Sequence, residues 1–214
     1  EPIADEVAVY TTDMMSTGFV AAENADIPVG GDVAVFAQGP VGLMATAGAR
    51  LQGAGRIFAI ETTPKRQDIA RQYGADVVID FEEEDPIQVI RDHTAGVGVD
   101  AAIEALGTPE TFTQCVEAVK PGGTVSNVGY HGRGDEVPIP REEWGVGMAE
   151  KDITTALCPG GRLRLRRLLR LLEHGRVDPT HLTTHEFAFD EVDQAFELME
   201  SKDDGVIKPL VTFE

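Results

Sequence analysis

The stretch Ala37-Gln38-Gly39-Pro40-Val41-Gly42 has residue types and spacing that could hold a diphosphate. It is the pattern Gly-x-Gly-x-x-Gly with Ala at the first position. Gly39 lets a backbone approach a pyrophosphate, and Gly42 lets a helix pack closely on a strand. The amino end of a helix adds free N–H groups and a partial positive charge. The expected cofactor-binding turn is therefore Gly39, Pro40, Val41 and Gly42. An acid completes the chemistry. Glu61 stands twenty-two positions past Gly39, where a carboxylate accepts hydrogen bonds from ribose hydroxyls. Such a carboxylate repels a 2′-phosphate, so the expected cofactor is NAD, with NADP the less favoured one. The bland alternative for Glu61 is a solvated acid at a strand end. Thr62, Thr63, Lys65 and Arg66 leave some room for NADP. Arg66 either flanks the adenosine or is a helix-surface charge.

These residues need a strand before them and a helix after. DVAVFA reads as a buried strand and VGLMATAGARLQG as the helix. The alternation continues through strands RIFAIE, ADVVID, VDAAIEAL, TVSNVGY and DITTALC. Between them lie helices KRQDIARQYG, DPIQVIRDHTAG and PETFTQCVEAVKPGG, the last ended by Pro121, Gly122 and Gly123. Short loops between alternating elements predict an α/β fold, a doubly wound parallel sheet (Rossmann fold) covered on both faces. Leu106 and Val128, Gly129 and Tyr130 then fall after the fourth and fifth strands, at carboxyl ends, where open α/β sheets bind ligands. The ends differ. Residues 1–30 hold one helix, around residues 17–24. Residues 160–214 hold an Arg-rich helix, a loop, a helix near 191–201 and a final strand, PLVTFE, with no evident partner.

Composition narrows the class. The chain has 214 residues, 37 acids against 18 Lys and Arg, and a net charge of −19. That balance argues against nucleic acid as a partner. No run approaches the roughly 18 apolar residues of a membrane span. EPIADEV lacks the basic and apolar parts of a secretory signal, so the expected location is cytoplasmic. Cys115 and Cys158 make neither a disulfide framework nor a close metal pair and read as packed thiols. His181 and His185 are spaced i, i+4 but across the loop-like HLTTH, and His131 reads as a solvated loop histidine that could edge the site. The Arg162-to-Arg176 run reads as an interface, an ion-pair network or a crevice rim. The acidic run at 82–85 reads as a solvated loop.

The stretches DMMSTGF, GPVGLMATAGARLQGAGRIFAIE, AIEALGT, KPGGTVSNVGY, REEWGVGM, TTALCPGGR and IKPLVTF carry a resemblance. In order and spacing the chain resembles the medium-chain, zinc-dependent alcohol dehydrogenases, especially the secondary-alcohol branch. The resemblance implies a Rossmann domain over 31–160. It implies N- and C-terminal pieces of a GroES-like catalytic domain: a remnant with a linking helix at 1–30, and helices with a strand at 161–214. The family's N-terminal catalytic segment has no counterpart here, so the chain is expected to be a fragment that binds NAD without turning over alone. The implied reaction is zinc-assisted hydride transfer between NAD(H) and a small alcohol, ketone or aldehyde.

Carried over by motif, Asp13 matches a zinc ligand, with a helix N-cap as its alternative role, and Thr17 a residue at the nicotinamide. Val41 matches the residue pressing on the nicotinamide face, the Val128 and Leu157 backbones match carboxamide contacts, and Lys208 matches a pyrophosphate contact. Zinc belongs to the full-length protein, and the family's usual assembly is a dimer or tetramer joined partly through sheet edges, where SNVGY and the strand-like EVPIP would sit. Two other classes compete: a non-catalytic nucleotide-binding remnant or regulatory module, and a zinc-free quinone-reductase-like relative.

Five Lys against thirteen Arg, with −19 overall, also fits a salt-adapted source. Self-repulsion destabilises a compact acidic chain, and molar salt screens it over about 3 Å. The melting temperature is therefore expected to rise from low salt to molar KCl. Equal melts would mark an ordinary acidic enzyme.

Overall fold

The computed structural model describes residues 3–213. Its centre is a set of short strands rich in buried β-branched and aromatic residues: β1 (Asp32–Phe36), β2 (Arg56–Ile60), β3 (Val77–Ile79), β4 (Val99–Glu104), β5 (Val119–Asn127) and β6 (Asp152–Thr155). They form one sheet in the order β3-β2-β1-β4-β5-β6, every pair parallel. Four crossover helices link them: α3 (Pro40–Gln52), α4 (Pro64–Tyr73), α5 (Pro86–His93) and α6 (Pro109–Ala118). Ahead of them run α1 (Asp5–Ala8), a 3-10 turn over Val9–Thr12, and α2 (Met14–Asn24).

Side chains alternate along a strand, so β1 feeds both faces. Val33 and Val35 pack with Ala21, Ala45 and Ile103 on the α2/α3 side. Ala34 and Phe36 pack with Ile87, Ile90 and Phe112 on the α5/α6 side. Two buried faces explain why these strands read as continuous apolar runs. The strand order reverses between β1 and β4. The loops leaving their carboxyl ends therefore diverge and open a crevice.

α2 lies along α3 at very short range. A Cβ on Gly18 would stand 2.5 Å from the Met44 Cβ, so only glycine fits that contact. α7 (Arg162–Glu173) clamps α2 from the C-terminal part of the chain. The Arg164 guanidinium donates to Glu23 at 2.6 and 2.9 Å, to the Ser16 hydroxyl at 3.2 Å and to the Ser16 carbonyl at 3.0 Å. One member of the arginine run is thus an ion-pair anchor.

Several elements depart from expectation. The final strand, β8 (Lys208–Thr212), has a partner within the chain. It pairs in parallel with β7 (Thr183–Ala188), and α8 (Val192–Ser201) crosses between them. β7 contains the last three residues of the HLTTH stretch that reads as loop, whose first two end a 3-10 turn over Pro179–Leu182. Its residues are half-buried or exposed throughout, so no apolar face marks it in the sequence. β5 starts at Val119 and runs through Pro121, Gly122 and Gly123, with a register shift opposite Val99 and Ala101. α2 starts three residues earlier than expected, at Met14. Residues 136–140, EVPIP, are irregular rather than a strand; Pro138 and Pro140 have no N–H to give a ladder. No helix among the described residues is long and apolar enough to cross a membrane.

The turn after β1 carries strain. Ala37, at the first position of the glycine pattern, has φ +70°, a left-handed backbone. That conformation costs a non-glycine residue about 1 kcal/mol. A Cβ on Gly42 would fall 1.9 Å from the Ala37 carbonyl oxygen. Thermal melts of two variants test this turn. Ala37→Gly is expected to be neutral to stabilising, by up to roughly 1 kcal/mol, and Gly42→Ala to destabilise by roughly 1–3 kcal/mol or more.

Candidate functional site

The crevice begins where β1 ends. Ala37 bends the chain, and Gln38 beneath it is fully buried. Its side-chain amide donates to the Val35 carbonyl at 3.0 Å and accepts from the Thr46 hydroxyl of α3 at 2.9 Å. The turn is therefore tied to the strand below and the helix beside it. Gly39 is the N-cap of α3, with Pro40 in its first turn, and no side chain caps the helix. A Cβ on Gly39 would meet no described atom within 4 Å, and its φ of −68° suits any residue. Neither packing nor backbone angle among the described residues asks for glycine there. Room for a diphosphate against the helix end does. Val41 is half-buried and Gly42 buried in the first turn.

Glu61 follows β2 and is 5% exposed. Its carboxylate accepts backbone N–H groups from Gln38 at 3.1 Å, Thr62 at 3.0 Å and Thr63 at 3.0 Å. One Arg66 nitrogen stands 3.5 Å from the same carboxylate. Another donates to the Val206 carbonyl at 3.3 Å, and its Nε is buried without a partner among the described residues. Glu61 and Arg66 border a cleft of ≈ 470 Å³ whose other walls include Phe81, Leu106 and Thr111. Leu106 is 54% exposed there. The cleft has the size and the apolar walls of a small-ligand site, and two carboxylates, Glu61 and Glu110, line it.

The remaining predicted residues sit at the neighbouring carboxyl ends. Val128 and Gly129 follow β5, and both N–H groups donate to the Glu104 carbonyl. Tyr130 and Leu157, after β5 and β6, are strongly exposed apolar side chains. The segment after β6 also meets the start of α2. The Ser16 hydroxyl donates to the Pro159 carbonyl at 2.6 Å, and the Cys158 thiol lies 3.4 Å from the Thr12 carbonyl. Asp13 is exposed and does not cap α2 through its side chain. It accepts instead from the buried Thr17 hydroxyl at 3.1 Å. Lys208, half-buried at the start of β8, lines a separate cleft with Tyr10, Thr12 and Met14. Its charge, after burial and the charge of Arg66, lowers the pKa of Lys202.

A metal needs more than this chain presents. A catalytic zinc takes three protein ligands, and the described residues contain no group of three His, Cys, Asp or Glu able to hold a metal. The residues present therefore do not by themselves fit a zinc ion. His181 and His185 do not form a pair for metal either; His185 bonds Asp204 at 3.1 Å. Cys115 is fully buried, where desolvation and then the charge of Glu104 push its thiol pKa up and leave it unreactive.

Two polar residues at the site escaped the sequence reading, Glu104 and Asn127, and a third, His131, was expected there only as a solvated edge. Glu104 is 0% exposed at the end of β4. An acid between Ile103 and Ala105, at the apolar end of the run VDAAIEAL, was the available signal. His131 reads as solvated from its loop position. In the structure its side chain is only 15% exposed and packs edge-on against Phe112, ring centroids 5.8 Å apart.

The comparisons with known proteins agree with this geometry. The family model described as "Zinc-binding dehydrogenase" matches residues 40–174. The NADP-dependent isopropanol dehydrogenase of Thermoanaerobacter brockii is 51% identical over 207 residues, covering 96% of this chain and 59% of that protein. An alcohol dehydrogenase of Cupriavidus necator is 48% identical over 206 residues, covering 96% and 56%. Among solved structures, the alcohol dehydrogenase TADH from Thermus sp. ATN1 superposes with a TM-score of 0.89 at 31% identity, over 100% of this chain and 60% of that one. The chain thus spans less than two thirds of the length of these relatives. A match over the crossover helices and strands that build the crevice, joined to a shared fold, places this chain in the zinc-dependent medium-chain alcohol dehydrogenase family.

Proposed function

We propose that this chain binds NAD(H) and is the coenzyme-holding part of an oxidoreductase acting on a small alcohol or its carbonyl partner. One observation carries the reading. The uncapped amino end of α3 and the Glu61 carboxylate lie at the carboxyl ends of adjacent parallel strands, where a diphosphate and its ribose would lie side by side. The bound dinucleotide would supply the hydride site at its nicotinamide. The chain's own residues bind and orient it. The α3 N–H groups hold the diphosphate, Glu61 the ribose hydroxyls, and Phe81 and Leu106 cover the adenine. Val41, the Val128–Tyr130 segment and the Leu157 backbone would hold the nicotinamide half and keep water from it, and Lys208 would add positive charge near the diphosphate.

The preference for NAD rests on Glu61. A 2′-phosphate adds roughly −1.5 to −2 charge near neutral pH. Here it would stand against a carboxylate fixed by three backbone N–H groups, and Arg66 is already turned to that carboxylate. The names of two similar proteins, from Thermoanaerobacter brockii and Clostridium beijerinckii, say NADP-dependent. The names of relatives from Entamoeba histolytica and Mycoplasma pneumoniae say the same, so the reading of NAD rests on the charge at position 61 alone.

Asp13 is proposed as one zinc ligand of the whole protein, with Thr17 holding its orientation and the other ligands coming from outside these 214 residues. Residues 1–30 and 161–214 are proposed as parts of the catalytic domain. The exposed, stacked Phe189 and Phe213 fit a surface that packs on more protein. β6 is an edge strand, and the apolar Trp144, Val146 and Met148 are exposed in the segment before it, which suits assembly into dimers or tetramers.

Fluorescence titration tests the coenzyme. NADH is expected to bind at least about tenfold tighter than NADPH, and Glu61→Gly to narrow that gap. Equal constants for the unaltered protein would overturn the role of Glu61. The isolated 214-residue chain is expected to bind NADH without oxidising alcohols. Turnover by a chain of verified mass would refute the need for outside ligands, and binding of neither coenzyme would favour a module of another kind.

A further inference from the structure

Glu104 is a second buried carboxylate at a strand end, and its two oxygens are treated unequally. Oε1 accepts three bonds: the Leu106 N–H at 3.0 Å, the Gly107 N–H at 2.8 Å and the Thr111 hydroxyl at 2.7 Å. Oε2 is buried with no hydrogen-bond partner among the described residues. The His131 Nε2 stands 3.6 Å from it. The same Nε2 lies 2.9 Å from the Asn127 Oδ1. Asn127 turns its amide nitrogen to the Gly129 carbonyl at 3.1 Å, which leaves Oδ1 for the histidine. Nε2 must therefore carry the proton and face two acceptors, Asn127 Oδ1 and Glu104 Oε2.

The Val128 and Gly129 N–H groups, which donate to the Glu104 carbonyl, join the two segments that wall the crevice. A Cβ on Gly129 would fall 2.0 Å from the Glu104 Oε2, and one on Gly107 would fall 2.3 Å from the Tyr130 carbonyl. Residues 105–107 and 128–131 thus interlock directly over the buried carboxylate. The strand order says which half of a dinucleotide they meet. Glu61 lies after β2 and the α3 turn after β1, so a ligand running from one to the other continues over β4 and β5. Strands about 4.8 Å apart put that second half at residues 105–107 and 128–131.

We propose that Glu104, Asn127 and His131 are positioning residues for the nicotinamide half of the coenzyme: the His131 Nε2–H, bonded to Asn127 and facing the open oxygen of Glu104, keeps the two wall segments in register. The inference rests on the dinucleotide reading above and deepens it. Its signature is a split between halves of the ligand. NADH uses both halves, whereas ADP-ribose lacks the nicotinamide.

The test is titration of NADH and ADP-ribose, in the whole protein, for the unaltered chain, His131→Phe and His131→Gln. Phe keeps a ring against Phe112 but has no donor; Gln restores an N–H. His131→Phe is expected to weaken NADH about tenfold and leave ADP-ribose within about twofold, and His131→Gln to recover most of the loss. In the unaltered protein, the His131 ring signals in NMR are expected to move with NADH and not with ADP-ribose, which tests the idea even if a variant misfolds. Parallel loss of both ligands in His131→Phe, no loss of either, or identical NMR shifts would overturn this inference alone. Failure of the unaltered protein to bind either ligand would overturn the dinucleotide reading, and this inference with it.

Discussion

A buried carboxylate held by three backbone N–H groups is the contact on which the crevice depends. Glu61 accepts from Gln38 across the β1–β2 boundary and from its own neighbours Thr62 and Thr63. The Gln38 bond fixes the turn that leads into α3. The Thr62 and Thr63 bonds fix the turn that leads into α4. A buried acid without donors would be strongly unfavourable, so the two turns and the acid stabilise one another. The same atoms set the distance between the helix end and the carboxylate.

Glu104 repeats the device on the other side of β1. It too ends a strand, is buried, and receives the N–H groups of the turn that follows. The two carboxylates bracket the reversal of strand order, one at β2 and one at β4. They differ in completeness. The Glu61 oxygens both have N–H partners, whereas one Glu104 oxygen has only a histidine standing off at 3.6 Å. The first side is locked, and the second has a bond still to be made.

The amino-terminal residues reach the crevice through helix packing. Gly18 brings α2 against α3, and Arg164 of α7 clamps α2 by Glu23 and Ser16. Asp13 and Thr17, at the start of α2, are therefore set by a helix that packs directly on α3. A shift of α2 would move Asp13 relative to the crevice without touching the crevice itself.

Much of this was legible in the residues. The glycine spacing, the acid after the second strand and the alternation of apolar runs with amphipathic segments are local patterns, and they gave the doubly wound sheet and the turn at Gly39. The strand β7 was hidden because its exposed and half-buried residues lack an apolar face. His131 was hidden because burial of a loop histidine depends on Phe112 and Asn127, which reach it only through folding. The sequence by itself determined which elements form and where a phosphate could approach, since those follow from backbone freedom and short-range periodicity. The tertiary structure alone decided which polar side chains are buried and which oxygens are satisfied, because those depend on distances between segments far apart in the chain.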